Sequence, residues 1–302
     1  MTTRVVPDLF ADIRADVGEA PAWDAGAGRF TFVDILGKLV YLADASGRII
    51  SAFSTPADVG AALPAAGGGW LLALRNRFAL MDEAGSIEDL LVVDSIGPDI
   101  RFNDAKCDAA GRAFAGTMAY DESHGAGKLY RLAEGPEATA VIRGTTLSNG
   151  MGWDADGGRF YFVDSPLRVV TVYEYETASG ELGAELGRMP IDEDTPGIPD
   201  GLCVDDDGCI WVAIFGGSAV HRYTPAGVLD TVVALPVSQP TSCAFGGPDG
   251  NLLVITTADH LLSAEERLRQ PLAGAVFAVE VGAAALGATP WRPLTHRAGD
   301  TE

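Results

Sequence analysis

The chain repeats one pattern of apolar and polar positions. A short apolar run is followed by a turn rich in Asp and Gly, and then by a second apolar run. The copies are "EAPAWDAGAGRFTFVDI", "NDAKCDAAGRAFAGTM", "NGMGWDADGGRFYFVDS", "DGLCVDDDGCIWVAIF" and "TSCAFGGPDGNLLVITT", with a weaker one, "GAALPAAGGGWLLALRN", between the first and second. Runs of this length bounded by Asp/Gly turns predict β-hairpins. In "RFNDAKCDAAGRAFAGTM" the hairpin pairs Ala105 and Cys107 with Ala113, Phe114 and Ala115 across a turn through Gly111. The "DADG" and "DDDG" strings at Asp154 and Asp205 lack the spacing and terminal Glu of an EF-hand loop and read as hairpin turns.

Turn marks at Gly28, Gly69, Gly111, Gly158, Gly208 and Gly250 recur at roughly 40 to 50 residues, the period of propeller blades. Several units continue with a third and a fourth run: "KLVYLAD" then "RIISAF", "GKLYRLAE" then "ATAVI", "AVHRYTP" then "TVVAL". Helical periodicity is nearly absent, with "SAEERLRQ" the best candidate. Six four-stranded antiparallel units predict an all-β fold, a six-bladed β-propeller forming one domain over residues 1–302. A ring of blades must close, so the N-terminal "RVVPDLFADI" is expected to lend a strand to the last blade beside "GAVFAVEV".

Composition narrows the partners. Acidic residues outnumber basic ones 42 to 21, for a formal charge of -21. Such a surface repels nucleic-acid phosphates and anionic lipids, which argues against nucleic acid or membrane partners. The N-terminus has no signal-peptide core and no segment has the length of a membrane span, so the expected location is cytoplasmic. Cys107, Cys203, Cys209 and Cys243 form no CxxC pair and read as buried free thiols. A monomer or weak homo-oligomer is expected.

One polar register stands out. Eight or nine residues before the turn glycines stand Glu19, Asn103, Asn149 and Asp200, all with side-chain oxygens. The innermost strand of each blade lines the channel, so residues at its start converge on one mouth. Convergent carboxylate and amide oxygens suit one hard divalent ion, Ca²⁺, Mg²⁺ or Mn²⁺, with Zn²⁺ also compatible. The other two blades place Gly60 and Thr241 or Ser242 there, leaving part of the mouth open for water and substrate. Arg101 and Asn103, two apart on a strand, face one side and can grip an oxygen-rich substrate. No G-x-S-x-G elbow or Walker loop occurs, and the four histidines show no H-x-H or H-E-x-x-H spacing.

At these residues the chain resembles the SMP-30/gluconolactonase/regucalcin-like lactonases. The stretches "GEAPAWD", "RFNDAKCDAAGRAFAGTM", "LSNGMGWDADGGRFYFVDS", "IPDGLCVDDDGCIWVA", "SCAFGGPDGNLLVITTA" and "RQPLAGAVFAV" carry the likeness, which spans essentially the whole chain and is weakest in the second blade. The resemblance implies a metal held by Glu19, Asn149 and Asp200, with Asn103 and Arg101 at substrate positions. It also places Asp121 where the family often carries a Glu after "GTM", one methylene shorter here; His124, in the same short polar loop, reads as a solvated residue. The implied activity is hydrolysis of an aldono-lactone such as glucono-, xylono- or arabinono-lactone, with Asp200 as general base. A regucalcin-like cation binder without turnover, and a hydrolase of organophosphates or non-sugar lactones, are the alternatives.

Overall fold

The computed structural model describes residues 2–132, 137–285 and 287–292; positions 133 and 134 of the "GKLYRLAE" run lie outside them. Six sheets follow one another around a ring, each built on antiparallel strands that run outward in chain order from an inner strand, with N-terminal strands added at the outer edges of the last two. The inner strands of blades one to six are Gly18–Asp24, Val59–Pro64, Ile100–Cys107, Ser148–Trp153, Ile198–Val204 and Pro240–Gly246. The six-bladed propeller expected from the repeats is what the chain forms. The hairpin register holds as well, with Ala105 opposite Ala115 and Cys107 opposite Ala113. One short helix, Ala264–Arg269, occupies the predicted "SAEERLRQ" segment. Ser263 and Glu266 cap it reciprocally, each side chain accepting the other's backbone N–H.

The burial gradient across a blade explains the two kinds of run in the sequence. Inner strands have neighbouring blades on both faces and are buried almost throughout, whereas an outer strand such as Ile49–Ser54 alternates half-buried and exposed positions. Aromatic rings fill the wedges between blades: Phe114 of blade three packs on Trp153 and Phe160 of blade four at centroid distances of 5.3 and 5.9 Å. Cys203, Cys209 and Cys243 are buried free thiols as expected, and Cys107 is only partly buried.

The N-terminus closes the ring in two pieces. Asp8–Ala11 pairs antiparallel with Val276–Glu280 as the outermost strand of blade six. Thr3–Val5 adds a fifth, parallel strand to blade five against Leu229–Ala234, a pairing the sequence pattern did not announce.

All six inner strands break register near the same mouth of the channel. The breaks fall between Glu19 and Ala22, Val59 and Ala61, Phe102 and Ala105, Ser148 and Met151, Pro199 and Leu202, and Pro240 and Ser242. A bulge leaves residues unpaired and turns the strand, so side chains there are re-aimed inward. Close approach of neighbouring strands accompanies it. A Cβ on Gly201 would lie 2.1 Å from Ser242 Oγ and 2.7 Å from Ser242 Cα in the next blade, leaving no room for a side chain. Gly201→Ala is therefore expected to destabilise the fold by about 1–3 kcal/mol. Denaturant melts check this, and an unchanged midpoint would show that the strands can part at no cost.

Candidate metal and substrate site

The bulges gather the register residues. Asn103, Asn149 and Asp200 sit among the unpaired positions of their strands, and Glu19 borders its own bulge. All four side chains, with Arg101, line a single cavity of about 250 Å³ at one mouth of the channel. All five residues are buried.

A repeated motif fixes the two loops that enter the site. "RFTFVD" and "RFYFVD" end in Asp34 and Asp164, both buried. Asp34 accepts the backbone N–H groups of Asp16 and Val17 at 3.0 and 3.1 Å, just ahead of Glu19. Asp164 accepts those of Thr146 and Leu147 at 3.1 and 2.9 Å, just ahead of Asn149. The same carboxylate device thus sets the entry of two inner strands, a role the sequence reading missed although the shared "FVD" carried the signal.

Each oxygen donor is held in a defined way. Glu19 Oε2 accepts the N–H of Ala20 at 2.5 Å, a fold-back made possible by the left-handed φ of 47° at Ala20. Asn149 Nδ2 donates to Ser165 Oγ at 3.1 Å, which turns its Oδ1 the other way. That Oδ1 is buried and has no hydrogen-bond partner among the described residues. Arg101 Nη1 donates to Asn103 Oδ1 at 2.7 Å and to Phe102 O at 3.0 Å, while Asn103 Nδ2 donates to Ser148 O at 3.1 Å. Asn103 is therefore committed to orienting Arg101, and its oxygen is not free in the way that of Asn149 is.

The electrostatics work against ionising both carboxyls. Burial raises the Glu19 carboxyl well above its ordinary range, and the charges of Asp200 and Asp104 raise it further. Asp200 is raised by burial and by Asp104, against a lowering by the Asn149 amide. Burial also works against the charge of Arg101, which Tyr120, Asp58, Glu19 and Asp200 support. An orphaned amide oxygen beside two buried carboxylates fits a hard divalent ion. Among the described residues no three Asp, Glu, His or Cys side chains come together as a charged cage. A cation here therefore relies on Asn149 as its third protein donor.

The loop after "GTM" departs from the simple expectation. Asp121 is exposed and engaged with its own turn, its Oδ1 accepting from Ser123 N at 3.0 Å and Ser123 Oγ at 2.6 Å. Glu122 instead lines the cavity, swung there by a left-handed φ of 55°. His124 is exposed, with Nδ1 3.0 Å from Thr146 Oγ1. The apolar rim includes Val17, Leu36, Met118 and Phe215. Asp104, which the register did not single out, lies in the bulge next to Asn103, fully buried with both carboxylate oxygens unpartnered among the described residues.

The sequence model of the SMP-30/gluconolactonase/LRE-like region matches residues 17–259. The chain belongs to this family. A Bacillus subtilis protein named "Putative sugar lactone lactonase YvrE" is 33% identical over 275 residues, 90% of this chain and 94% of that protein. Regucalcin of Danio rerio is 36% identical over 267 residues, 87% of this chain and 90% of that protein. The crystal structure of a calcium-binding regucalcin from Agrobacterium tumefaciens superposes with a TM-score of 0.91 at 24% identity, covering 97% of this chain and 99% of that one, a likeness of fold. Among the described residues no helix is long and apolar enough to cross a membrane.

The two raised carboxyls make opposite predictions with and without a cation. In metal-free protein Glu19 holds its proton more tightly folded than unfolded, so stability falls as pH rises above the ordinary carboxylate range. Glu19→Gln should then raise the melting temperature in EDTA at pH 8, with a smaller gain at pH 5. In saturating Ca²⁺ the same substitution should lower it. Thermal melts in the two buffers check the reversal, and a variant that moves the same way in both would contradict the cation reading.

Proposed function

We propose that the protein hydrolyses a sugar-acid lactone, such as an aldono-lactone, to the open-chain acid with the help of one divalent ion. The observation that carries this reading is the convergence of Glu19, Asn149 Oδ1 and Asp200 beside the Arg101–Asn103 pair in one cavity. Family membership supports lactone hydrolysis as the reaction type. Residues 1–302 are read as one propeller domain, soluble and cytoplasmic, monomeric or weakly associated.

Glu19, Asn149 and Asp200 would hold the ion, whether Ca²⁺, Zn²⁺, Mn²⁺ or Mg²⁺. When bound, it supplies Lewis acidity toward the lactone carbonyl and a lowered pKa for water. Arg101 binds the sugar hydroxyls through Nε and Nη2, which make no hydrogen bond among the described residues, while Asn103 keeps the guanidinium in place. An Asp200 carboxylate oxygen takes the proton of the attacking water. The ring C–O bond then breaks, and Asp200 returns that proton to the departing ring oxygen. Asp121 remains the residue the family pattern points to for a loop contact, yet Glu122 is the loop carboxylate that faces the cavity.

The apolar rim favours a second reading, in which the substrate is a lactone or ester with a hydrocarbon body. A regucalcin-like cation binder without turnover is the reading of a different class, and the Arg101–Asn103 pair, which a bare ion store does not need, argues against it.

Proton release from a panel of aldono-lactones, aliphatic lactones and organophosphates, before and after EDTA treatment and metal restoration, separates these readings. The expected result is metal-restored turnover of a sugar lactone, lowered at least about 100-fold in Asp200→Asn. Silence across the panel from protein that holds its ion would overturn the enzyme reading. Within the active panel, Glu122→Gln is expected to raise KM about tenfold with kcat little changed, whereas Asp121→Asn leaves both alone. The reverse pattern would assign the contact to Asp121.

A further inference from the structure

Asp104 is the one acidic residue near the site that neither coordination nor substrate binding explains. Blades four and five carry glycine, Gly150 and Gly201, directly after Asn149 and Asp200, because the next inner strand approaches there. Blade three carries Asp104 at that step instead, with no exposed surface and no hydrogen-bond partner for either oxygen among the described residues. A buried carboxylate without donors is costly, so its presence demands a charge that repays it.

Three neighbouring charged groups bear on it. Asp104 acts through space on Glu19 and on Asp200, yet it joins no cage of charged ligands with them. Lys106, two residues on, reaches across the channel and donates from Nζ to the backbone oxygen of Leu202, two residues beyond Asp200. Its stem lines a second cavity of about 330 Å³ formed by the far ends of the same inner strands. No carboxylate lies within salt-bridge distance of Lys106 among the described residues, so its charge is spread over Asp104 and Glu19 rather than spent on one of them.

We infer that the buried Asp104 and the partly buried Lys106 form an opposed pair of charges that sets how tightly the mouth holds its divalent ion without either residue touching it. Glu19 and Asp200 share the mouth with Arg101, and Asp104 and Lys106 lie behind it, three carboxylates against two cationic side chains. Without Asp104 the charges would balance before any ion arrived, and the pull on a dication would be lost. Lys106 offsets Asp104 from the far side and keeps the empty site from carrying the full repulsion of three carboxylates. This inference rests on the cation reading of the site given above.

The test is the affinity of EDTA-stripped protein for Ca²⁺ and for Mn²⁺, measured by calorimetry and equilibrium dialysis in wild type, Asp104→Asn, Lys106→Met and the double variant. Circular dichroism verifies that each is folded. Asp104→Asn should weaken binding at least tenfold, Lys106→Met should tighten it by a similar factor, and the double variant should return to within about threefold of wild type. Opposite signs are the signature, since a purely structural role would make both variants weaker. Equal affinity of wild type and Asp104→Asn, or weaker binding by Lys106→Met, overturns the inference while leaving the cation site standing. If Asp104→Asn fails to fold, the sign of the Lys106→Met effect decides alone. A stoichiometry that falls from two ions to one in Asp104→Asn also overturns it, because Asp104 would then be a ligand. No ion bound by wild type overturns the cation reading itself.

Discussion

Glu19 and Asp200 are buried side by side at one mouth of the propeller, and neither forms a salt bridge with a basic side chain among the described residues. Two carboxylates cannot both stay ionised in such a place without a compensating charge. The Asn149 amide donates to Ser165 and leaves a buried oxygen with no hydrogen-bond partner among the described residues, and Arg101 is held by Asn103 rather than paired with either carboxylate. On the proposed reading, Arg101 is kept for the substrate and the carboxylates are left for an ion.

What makes the arrangement rigid is backbone geometry. Each inner strand is a buried rod packed between two blades, and the bulge near the mouth re-aims its unpaired side chains into the channel. Asp34 and Asp164 clamp the loops just upstream of Glu19 and Asn149 with paired backbone hydrogen bonds. Ligand-bearing positions therefore sit on strands rather than on loops, which suits a site whose donors come from different blades.

Much of this was legible in the chain itself. Apolar runs around Asp/Gly turns at a steady period carry the blades, and counting back from the turns finds Glu19, Asn103, Asn149 and Asp200 together. Two of the misses come from local departures from regular strand geometry. Simple alternation puts Asp104 on the face opposite Asn103, and the bulge between Phe102 and Ala105 leaves both of them unpaired. Glu122 reaches the cavity through a left-handed backbone that a Glu does not advertise. The parallel strand Thr3–Val5 has no signal beyond a few β-prone residues, because a three-residue edge pairing is decided by what lies beside it.

The most direct measurement is anomalous scattering from crystals soaked in Mn²⁺ and collected near the manganese edge. The account predicts a single strong peak within coordination distance of Glu19, Asn149 Oδ1 and Asp200, and none on Asp104. A peak elsewhere, or no peak in protein that retains its fold, would contradict the claim that these three residues form the metal centre.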